Sequence, residues 1–519
     1  MKTKVIALLL TVVMVMSAAA CGSSSKEESA SDRIAATGED VKKEESKEGT
    51  GSDGEEAAAT WEEHYKIVWG YIGNSQQDTE RIAEEISKIL EPIYNVSIEL
   101  LPMSWGEFSD QLTLMLSGSE AMDIVPVLNG KGTSYINNGY LKDLTEYIDR
   151  YGNHMKEQLG EENVYVCSVG DFIYGIPTYK EWCSNVGMVF RKDILTEAGF
   201  TVEDVASIDD LDAIYEAVQA LYPDMTMLVG RKGDTPGAGT VYADQLGDGF
   251  GVILPDDTVG TVVNYYETEE FAYNMQKMYE FAQKGWISKD CATITDGREA
   301  QAKAGNAFSY FVQPTKPDTS EANSLSTGYD MIAVSLTELF RSTSATAWLG
   351  WGIGRNCEDP ERVFQVLDYM YGSPEIMNLL NWGIEGEHYV FKDEEAGIIG
   401  FPEGVDINNT TYNLNIGYEI PNQKIAYIWE GRPADLWEQY EEYNATDSII
   451  STGFIYDDSN VSTEIAALNN VKEQYLDALG TGAVDPSVVI PKFNEALYNA
   501  GLQTVIDEKQ AQLEEYLAK

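Results

Sequence analysis

The segment 65–103, "YKIVWGYIGNSQQDTERIAEEISKILEPIYNVSIELLPM", contains the pattern that decides the fold. It begins with an apolar run at 65–73 and ends with a second one at 95–103, and each run predicts a buried strand. Between them, 78–94 has apolar residues at helical spacing behind Asp78, which predicts an α-helix. A strand, a helix and a strand in this order form a βαβ unit, so the sequence predicts an α/β fold with a mostly parallel sheet.

The same alternation of helices and strands continues through the chain. Residues 107–130 predict a helix, a Gly break and a strand, and the apolar runs at 307–312 and 329–336 predict further strands after two helical regions. No internal sequence repeat accompanies this rhythm. A chain of 519 residues with this pattern suits two α/β lobes better than one oversized sheet. Because ligands of such sheets lie at the carboxyl ends of the strands, the loops after Tyr71 and Val127 are the first places to look for a site.

The charge of the chain excludes some classes of partner. With 86 acidic and 35 basic residues, the formal net charge is -51. A phosphate backbone or an anionic lipid surface would be repelled, so a nucleic acid is not expected as a partner. Trp and Tyr together, with 10 and 31 residues, outnumber the 15 Phe. This bias favours aromatics with a polar handle, which suit the apolar faces and hydroxyl edges of sugars.

The first twenty residues have the composition of a secretory signal, with Lys2 and Lys4 before a short apolar run and small residues before Cys21. Ala18-Ala19-Ala20-Cys21 resembles a bacterial lipobox in which Ala18 replaces the usual Leu, so Cys21 is the expected lipidation site. The alternative is a signal peptide followed by an accidental Cys. Residues 21–60 are rich in Ser, Gly, Glu and Lys, and we expect them to form a disordered acidic tether.

Signatures of enzymes and metal sites are sparse. The chain has three His, at His64, His154 and His388, and no G-x-S-x-G, H-E-x-x-H, P-loop or G-x-G-x-x-G stands in a fitting context. No C-x-x-C pair occurs, and Cys167 and Cys183 could form a disulfide or remain buried thiols. We therefore expect no catalytic residue, metal or cofactor.

The stretch 378–390, "NLLNWGIEGEHYV", places two carboxylates, a histidine and two aromatics close together. Gly383 and Gly386 after a helical pattern indicate a helix end and a turn, and the residues that follow would alternate between opposite faces of an extended segment. A single His without a partner at i+3 or i+4 is a poor metal site. We interpret the stretch as a signature at the passage out of the first lobe, with Trp382 and Glu385 as the residues that could reach a cleft rim.

Several passages in a fixed order carry a resemblance to a known family. They are "QLTLMLSGSEAMDIVPV" (111–127), "DFIYGIPTYKEWCSNVGMVFRKDIL" (171–195), "KAGNAFSYF" (303–311), "YDMIAVSL" (329–336), "NWGIEGEHY" (381–389) and "ALYNAGLQTVIDEKQAQLEEYL" (496–517). In this order they resemble an extracellular solute-binding protein of family 1, a carbohydrate-binding lipoprotein of a bacterial ABC importer.

The resemblance implies a periplasmic-binding-protein-like fold of two α/β lobes with hinge crossings. The first lobe would combine 61–177 with about 336–385, and the second about 185–330 with about 386–519. Some relatives of this type hold calcium in the second lobe, but 222–237 lacks the alternating oxygen ligands that such a loop needs. The implied partners are a carbohydrate ligand and the membrane permease subunits, with a monomeric receptor anchored by lipid at the extracellular face of the membrane.

The resemblance also implies contact residues, each with a core aromatic as the structural alternative. The expected contacts follow predicted strands or lie on the crossings: Tyr71, Asn74, Trp105, Asn129, Tyr179, Glu181, Trp182, Tyr310, Gln313, Trp348 and Trp351. Two other functions stay open. One is a surface-anchored glycoside hydrolase that uses paired carboxylates, whose spacing depends on the fold. The other is a surface adhesin or scaffold that binds protein.

Overall fold

The computed structural model describes residues 61–105, 107–128 and 130–518. In chain order, its first elements are β1 (Tyr65–Ile72), α1 (Thr79–Tyr94), β2 (Val96–Met103), α2 (Phe108–Ser117), β3 (Ile124–Leu128), α3 (Gly132–Asn137), α4 (Thr145–Tyr151), α5 (Asn153–Leu159), β4 (Ser168–Val169), β5 (Phe172–Ile173), β6 (Ile176–Pro177), β7 (Cys183–Ser184), β8 (Gly187–Arg191), α6 (Lys192–Glu197), α7 (Leu211–Leu221) and β9 (Thr226–Leu228).

The remaining elements complete the chain. They are α8 (Glu269–Gln283), α9 (Arg298–Lys303), β10 (Ala307–Val312), α10 (Thr319–Thr327), β11 (Met331–Ser335), β12 (Phe340–Arg341), α11 (Thr343–Thr346), β13 (Leu349–Ile353), α12 (Pro360–Tyr371), α13 (Pro374–Trp382), β14 (Val390–Asp393), β15 (Ile398–Gly400), β16 (Ile428–Trp429), α14 (Leu436–Asn444), α15 (Ser462–Gly480), α16 (Pro486–Asn499) and α17 (Leu502–Leu517). Within the described residues, no helix is long and apolar enough to cross a membrane.

The first lobe is built on a five-stranded sheet of order β2–β1–β3–β13–β6. β1 runs parallel to β2 and β3, as the pattern of 65–103 predicted, while β13 runs antiparallel to β3. The connecting helix α1 buries Ile82, Ile86 and Leu90, which recur every four residues and therefore form one apolar face against the sheet. Asn95, in the left-handed conformation with φ of 51°, ends this helix and turns the chain directly into β2.

The second lobe is built on a four-stranded sheet of order β11–β8–β10–β9. Only β9 and β10 are parallel in this sheet, whereas β8 is antiparallel to both β10 and β11. The expectation of mostly parallel sheets is therefore wrong for this lobe. The reason is that β8 enters from the crossing after β6, instead of following a helix that would return it in the parallel direction. The α/β class with two lobes is confirmed.

The C-terminal helices form a further core that belongs to neither sheet. Phe493, Leu497, Leu502 and Leu513 pack with Phe250 and neighbouring apolar residues of the region 243–275. The small sheet β14–β15–β16 packs separately around Trp382 and Trp429. The second half of the chain is thus divided among several packing units.

The segment around 412–426 returns to the first core. Its side chains pack with the apolar residues of the five-stranded sheet: Tyr412, Ile416, Ile420 and Ala426. The predicted boundaries assign 412–426 to the second lobe, whereas its side chains pack with the core of the first sheet. The lobe boundaries stay a prediction. The predicted signal 1–20, Cys21 and the tether 21–60 lie outside the described residues, as does Asn129.

Candidate functional site

The two lobes are joined by chain crossings that pair with one another. β7 pairs antiparallel with β12, and Arg341 of β12 forms an isolated bridge with Ser448. The Arg341 guanidinium donates to Asn163 Oδ1 of the first lobe at 2.6 Å. Asn444 receives the main-chain N–H of Trp182 on Oδ1 at 2.8 Å. These contacts hold the three crossings side by side, so that they can act as one hinge.

A cavity of about 520 Å³ opens beside these crossings. Its walls come from the first crossing, from two loops of the second lobe and from the segment that leads into β13. The lining residues include Lys180, Glu181, Ser184, Asp244, Gln245, Gln313, Lys316, Ser342, Ser344, Trp348 and Tyr418. We call this cavity the aromatic compartment, because the rings of Trp348 and Tyr418 line one wall and the ring of Trp105 packs against both.

Trp105, Trp348 and Tyr418 form that aromatic wall. The ring centroid of Trp105 lies 6.3 Å from that of Trp348 and 6.5 Å from that of Tyr418, and Trp348 and Tyr418 are 6.1 Å apart. These distances are typical of interacting aromatic pairs. Trp105 keeps 50% of its surface exposed, which is unusual for a large aromatic. The three rings therefore hold one another in place while leaving apolar surface free.

Lys180 and Glu181 form a buried ion pair on the same compartment. The Lys180 ammonium donates to Glu181 Oε1 at 3.1 Å and lies 5.1 Å from the centroid of the Trp348 ring. Burial lowers the pKa of Lys180. For Glu181, burial acts to raise the pKa, but the charges of Lys180 and Lys316 outweigh it and leave the pKa below its usual range. Glu181 Oε2 is buried and has no hydrogen-bond partner among the described residues, so it offers a free acceptor.

A second cavity of about 640 Å³ adjoins the first, and Gly247 and Ser344 line both. Its walls come from the loop before α3, from 246–248, and from the C-terminal region. The lining residues include Lys131, Thr133, Tyr174, Asp248, Phe454, Tyr456, Asp458, Ser462 and Asn469. We call it the C-terminal compartment. The two compartments therefore lie side by side and share part of their walls.

Comparison with known families decides the identity of the chain. A family model described as bacterial extracellular solute-binding protein matches residues 48–375, more than half of the chain. The chain belongs to this family. A second family model, a domain of unknown function, matches residues 450–518 of this solute-binding protein.

Similar proteins support the same placement. A carbohydrate ABC transporter substrate-binding protein of Streptococcus pneumoniae serotype 4 (strain ATCC BAA-334 / TIGR4) is 25% identical over 451 residues, which cover 86% of this chain and 90% of that protein. The crystal structure of the N-glycan transport solute binding protein NgtS from Streptococcus pneumoniae with Man1GlcNAc has a TM-score of 0.75 at 23% identity, covering 88% of this chain and 100% of that one. The alginate-binding protein AlgQ2 without calcium ion has a TM-score of 0.59 at 17% identity, covering 89% and 100%. The two solved structures show that the fold is shared.

Some of the residues predicted as ligand contacts of this solute-binding protein are brought together at the cleft. Glu181, Gln313 and Trp348 line the aromatic compartment, and Trp105 adjoins it through Trp348. Asn74 lies exposed just past β1. These side chains come from separate parts of the sequence, and the docking of the lobes places three of them on one compartment, with Trp105 next to it.

Other predicted contacts are buried in the protein. Tyr71, Tyr310 and Trp351 are 3%, 0% and 1% exposed. Trp351 packs edge-on against Trp69, and burial raises the pKa of the Tyr71 phenol to about 12. Tyr179 and Trp182 belong to the first crossing and are also buried, with their ring centroids 5.0 Å apart. In this structure these rings fill the interior.

Sequence reasoning did not select Lys180, Lys316 or Tyr418, although all three line the aromatic compartment. Lys180 stands between the selected Tyr179 and Glu181, and its position on the crossing was a usable signal. Tyr418 had no such signal, because the segment around it returns to the first lobe from a distant part of the chain.

The stretch 378–390 forms a closed network away from both compartments. His388 Nδ1 accepts the main-chain N–H of Ile384 at 2.9 Å, so its Nε2 carries the proton and faces Asp78 Oδ2 at 2.9 Å. Thr411 also donates to that Asp78 oxygen at 2.5 Å. Asp78 directly precedes α1, so His388 ties the turn after α13 to the start of α1. Within the described residues, no group of three or more His, Cys, Asp or Glu side chains could hold a metal ion.

All four described cysteines are buried and free: Cys167, Cys183, Cys291 and Cys357. Of the two alternatives that the sequence left open for Cys167 and Cys183, the structure has the free thiols. Burial raises the pKa of the Cys183 thiol to about 11 and that of Cys167 to about 12. These thiols are therefore poor nucleophiles at neutral pH.

Proposed function

We propose that this protein is a receptor that captures a sugar, most simply an oligosaccharide, between its two lobes and delivers it to the permease of an ABC transporter. The observation that carries the proposal is the aromatic wall of Trp105, Trp348 and Tyr418 beside the buried Glu181 acceptor. An aromatic face with free polar groups at its edge matches a sugar ring, which has apolar C–H faces and hydroxyl edges. The printed names of the similar proteins, which include carbohydrate and N-glycan binding, support the same ligand class.

Binding would proceed by closure of the lobes over the ligand. The first lobe supplies Trp105 and Trp348, the crossing supplies Lys180 and Glu181, and the second lobe supplies Gln313 and Lys316. A sugar that contacts both lobes has a differential affinity for the closed form and therefore shifts the population toward it. The hinge formed by the three crossings would absorb this motion. The ligand leaves chemically unchanged, so the protein acts without catalysis.

The location that we propose rests on the N-terminal sequence. Lipidation at Cys21 would anchor the receptor at the extracellular face of the cell membrane, with 21–60 as the tether and a monomer as the working unit. We propose lobes of 61–177 with about 336–385 and of about 185–330 with about 386–519, the region 412–426 packing back on the first lobe.

A thermal-shift screen tests the ligand class. Protein lacking residues 1–20 is mixed with neutral di- and hexasaccharides of the manno-, malto-, cello-, xylo- and chito- series. A ligand that binds only the folded state raises the melting temperature by mass action. We expect a rise with at least one series and recovery of that sugar intact by mass spectrometry. Release of shorter sugars would instead establish a hydrolase, and capture of an envelope protein without any sugar response would establish an adhesin.

A further inference from the structure

The C-terminal segment 450–518, which matches a domain of unknown function, supplies one wall of the cleft. Phe454, Tyr456 and Asp458 precede α15 and line the C-terminal compartment together with Asn469 from that helix. The rest of the segment packs on the second lobe through α16 and α17, which give this wall a rigid support.

Two polar atoms in this compartment are buried without a partner among the described residues. They are Asp248 Oδ2 and the hydroxyl of Tyr456. The other oxygen of Asp248 accepts from Lys509 of α17 at 2.5 Å, and Lys509 also donates to the carbonyl of Gly251 at 3.1 Å. The C-terminal helix therefore fixes the carboxylate of Asp248 while leaving one oxygen unused. Unused buried acceptors and hydroxyls are uncommon in native proteins and need an explanation.

The C-terminal segment also reaches across the cleft to the first lobe. Asn137 at the end of α3 donates from Nδ2 to Ser459 Oγ at 2.9 Å. The Thr133 hydroxyl hydrogen-bonds to the carboxylate of Asp458 next to it. The C-terminal compartment is thus lined by the C-terminal segment on one side and by the first lobe on the other.

The size of the cleft exceeds the need of a short ligand. Each compartment, at about 520 and 640 Å³, lies within the range of about 300–1,000 Å³ that holds one drug-sized molecule, and together they exceed that range. Gly247 and Ser344 line both compartments, so the aromatic wall and the surface formed by Tyr456 and Asn469 lie on adjoining cavities.

We propose that the C-terminal segment forms a second sugar subsite, which holds the distal residues of a neutral oligosaccharide whose other end stacks on Trp348, and that it thereby selects ligands long enough to span both compartments. This inference rests on the proposed sugar-receptor function. The exposed amide of Asn469 pairs a distal sugar hydroxyl, and a side-chain movement on binding brings the buried hydroxyl of Tyr456 and the free oxygen of Asp248 to others. Short sugars use only the aromatic compartment.

Isothermal titration calorimetry with the di- and hexasaccharide of the responding series tests the proposal. In the wild type we expect the hexasaccharide to bind at least tenfold more tightly than the disaccharide. The double variant Tyr456→Phe/Asn469→Ala should lose about tenfold in affinity for the hexasaccharide and bind the disaccharide as before. Tyr456→Phe removes a hydroxyl without a partner and Asn469 is exposed, so both variants should fold with an unchanged melting temperature.

Two controls separate the outcomes. Asn470→Ala changes the exposed neighbour of Asn469 on the same helix and should bind both sugars like the wild type. Trp348→Ala should weaken both sugars alike. Equal losses for both sugars in the double variant, or none, would overturn the second subsite and leave the sugar receptor standing. A wild type that binds no sugar of any series would overturn the proposed function and this inference with it.

Discussion

Two regions of this solute-binding protein contain similar residue types and differ in how their polar groups are used. In the stretch 378–390, both ring nitrogens of His388 are hydrogen-bonded and Trp382 is 2% exposed. In the aromatic compartment, Trp105 is half exposed and Glu181 Oε2 lacks a partner among the described residues. Carboxylates, aromatics and a basic group occur in both. Their composition therefore does not distinguish a structural network from a binding site.

An unpartnered polar atom together with exposed aromatic surface beside it makes the distinction. A buried polar group whose bonds are all made within the protein stabilises the fold and has nothing left to offer a ligand. A group that keeps a free lone pair beside exposed aromatic surface costs stability in the empty protein and gains a partner when a ligand arrives. Four predictions, from the largest expected effect to the smallest, test this difference.

His388→Ala should lower the free energy of unfolding by about 4 kcal/mol and leave sugar affinity unchanged. The substitution removes a ring that is 1% exposed, leaves the N–H of Ile384 without its partner, and leaves Asp78 Oδ2 with Thr411 as its remaining side-chain donor. Chemical denaturation and calorimetry at a temperature where the variant is folded measure the two quantities. Arg81→Ala is the matched control, since it breaks an exposed ion pair with Glu387 in the same region and should leave the unfolding midpoint nearly unchanged. A loss of sugar affinity in His388→Ala would show that the stretch serves the site.

Glu419 should make stability depend on pH. It is fully buried, accepts the Ile72 N–H at 2.6 Å, and has an Oε2 without a partner among the described residues. Burial raises its pKa from 4.5 to about 8. Between these values the folded protein holds a proton that the unfolded chain has lost, so the free energy of unfolding falls as the pH rises through this window.

The Glu419→Gln variant isolates this contribution. It keeps an acceptor for Ile72 and cannot ionise, so from pH 5 to pH 8 the wild type should lose on the order of 3 kcal/mol relative to the variant. Urea denaturation at several pH values measures the difference. Parallel pH profiles for the two proteins would show that the carboxyl is ionised and solvated in the folded state.

Trp348→Ala should weaken sugar binding by about 30-fold, which corresponds to about 2 kcal/mol, because it removes the ring at the centre of the aromatic wall. Isothermal titration calorimetry with the responding sugar measures the affinity. Trp437→Ala is the control: Trp437 is also partly buried, donates to the Ala426 carbonyl at 2.8 Å and lines a separate cavity. Equal affinities for wild type and Trp348→Ala would remove the aromatic compartment as the binding site.

Tyr310→Phe should lower the free energy of unfolding by about 1 kcal/mol without changing sugar affinity. The Tyr310 ring is fully buried, and its hydroxyl donates to Asn323 Oδ1 at 2.6 Å, so the substitution loses one internal hydrogen bond. Thermal unfolding and calorimetry measure both quantities. If affinity fell while stability held, Tyr310 would act as a ligand contact, as its position just after "AFS" (307–309) suggested.

Trp348 and Trp351 show how far the sequence could predict the site. Both stand in "TAWLGWGIG" (346–354), and the sequence predicts both as contacts. The structure places Trp351 within β13, with its indole N–H donating to the Glu419 carbonyl, and Trp348 just before the strand, facing the compartment. The two rings are three residues apart, and the start of β13 at Leu349, between them, decides which ring is free. Sequence patterns locate such boundaries less exactly than that.

The sequence by itself determined the α/β order of elements and the membership in the solute-binding family. Periodicity within 65–103 and the order of short passages are properties of neighbouring residues, which any sequence displays directly. Only the tertiary structure decided which residues form the cleft. Tyr418 joins Trp105, and Tyr456 faces the loop before α3, although each pair is more than three hundred residues apart. Contacts of this kind depend on how whole lobes pack and leave no local pattern.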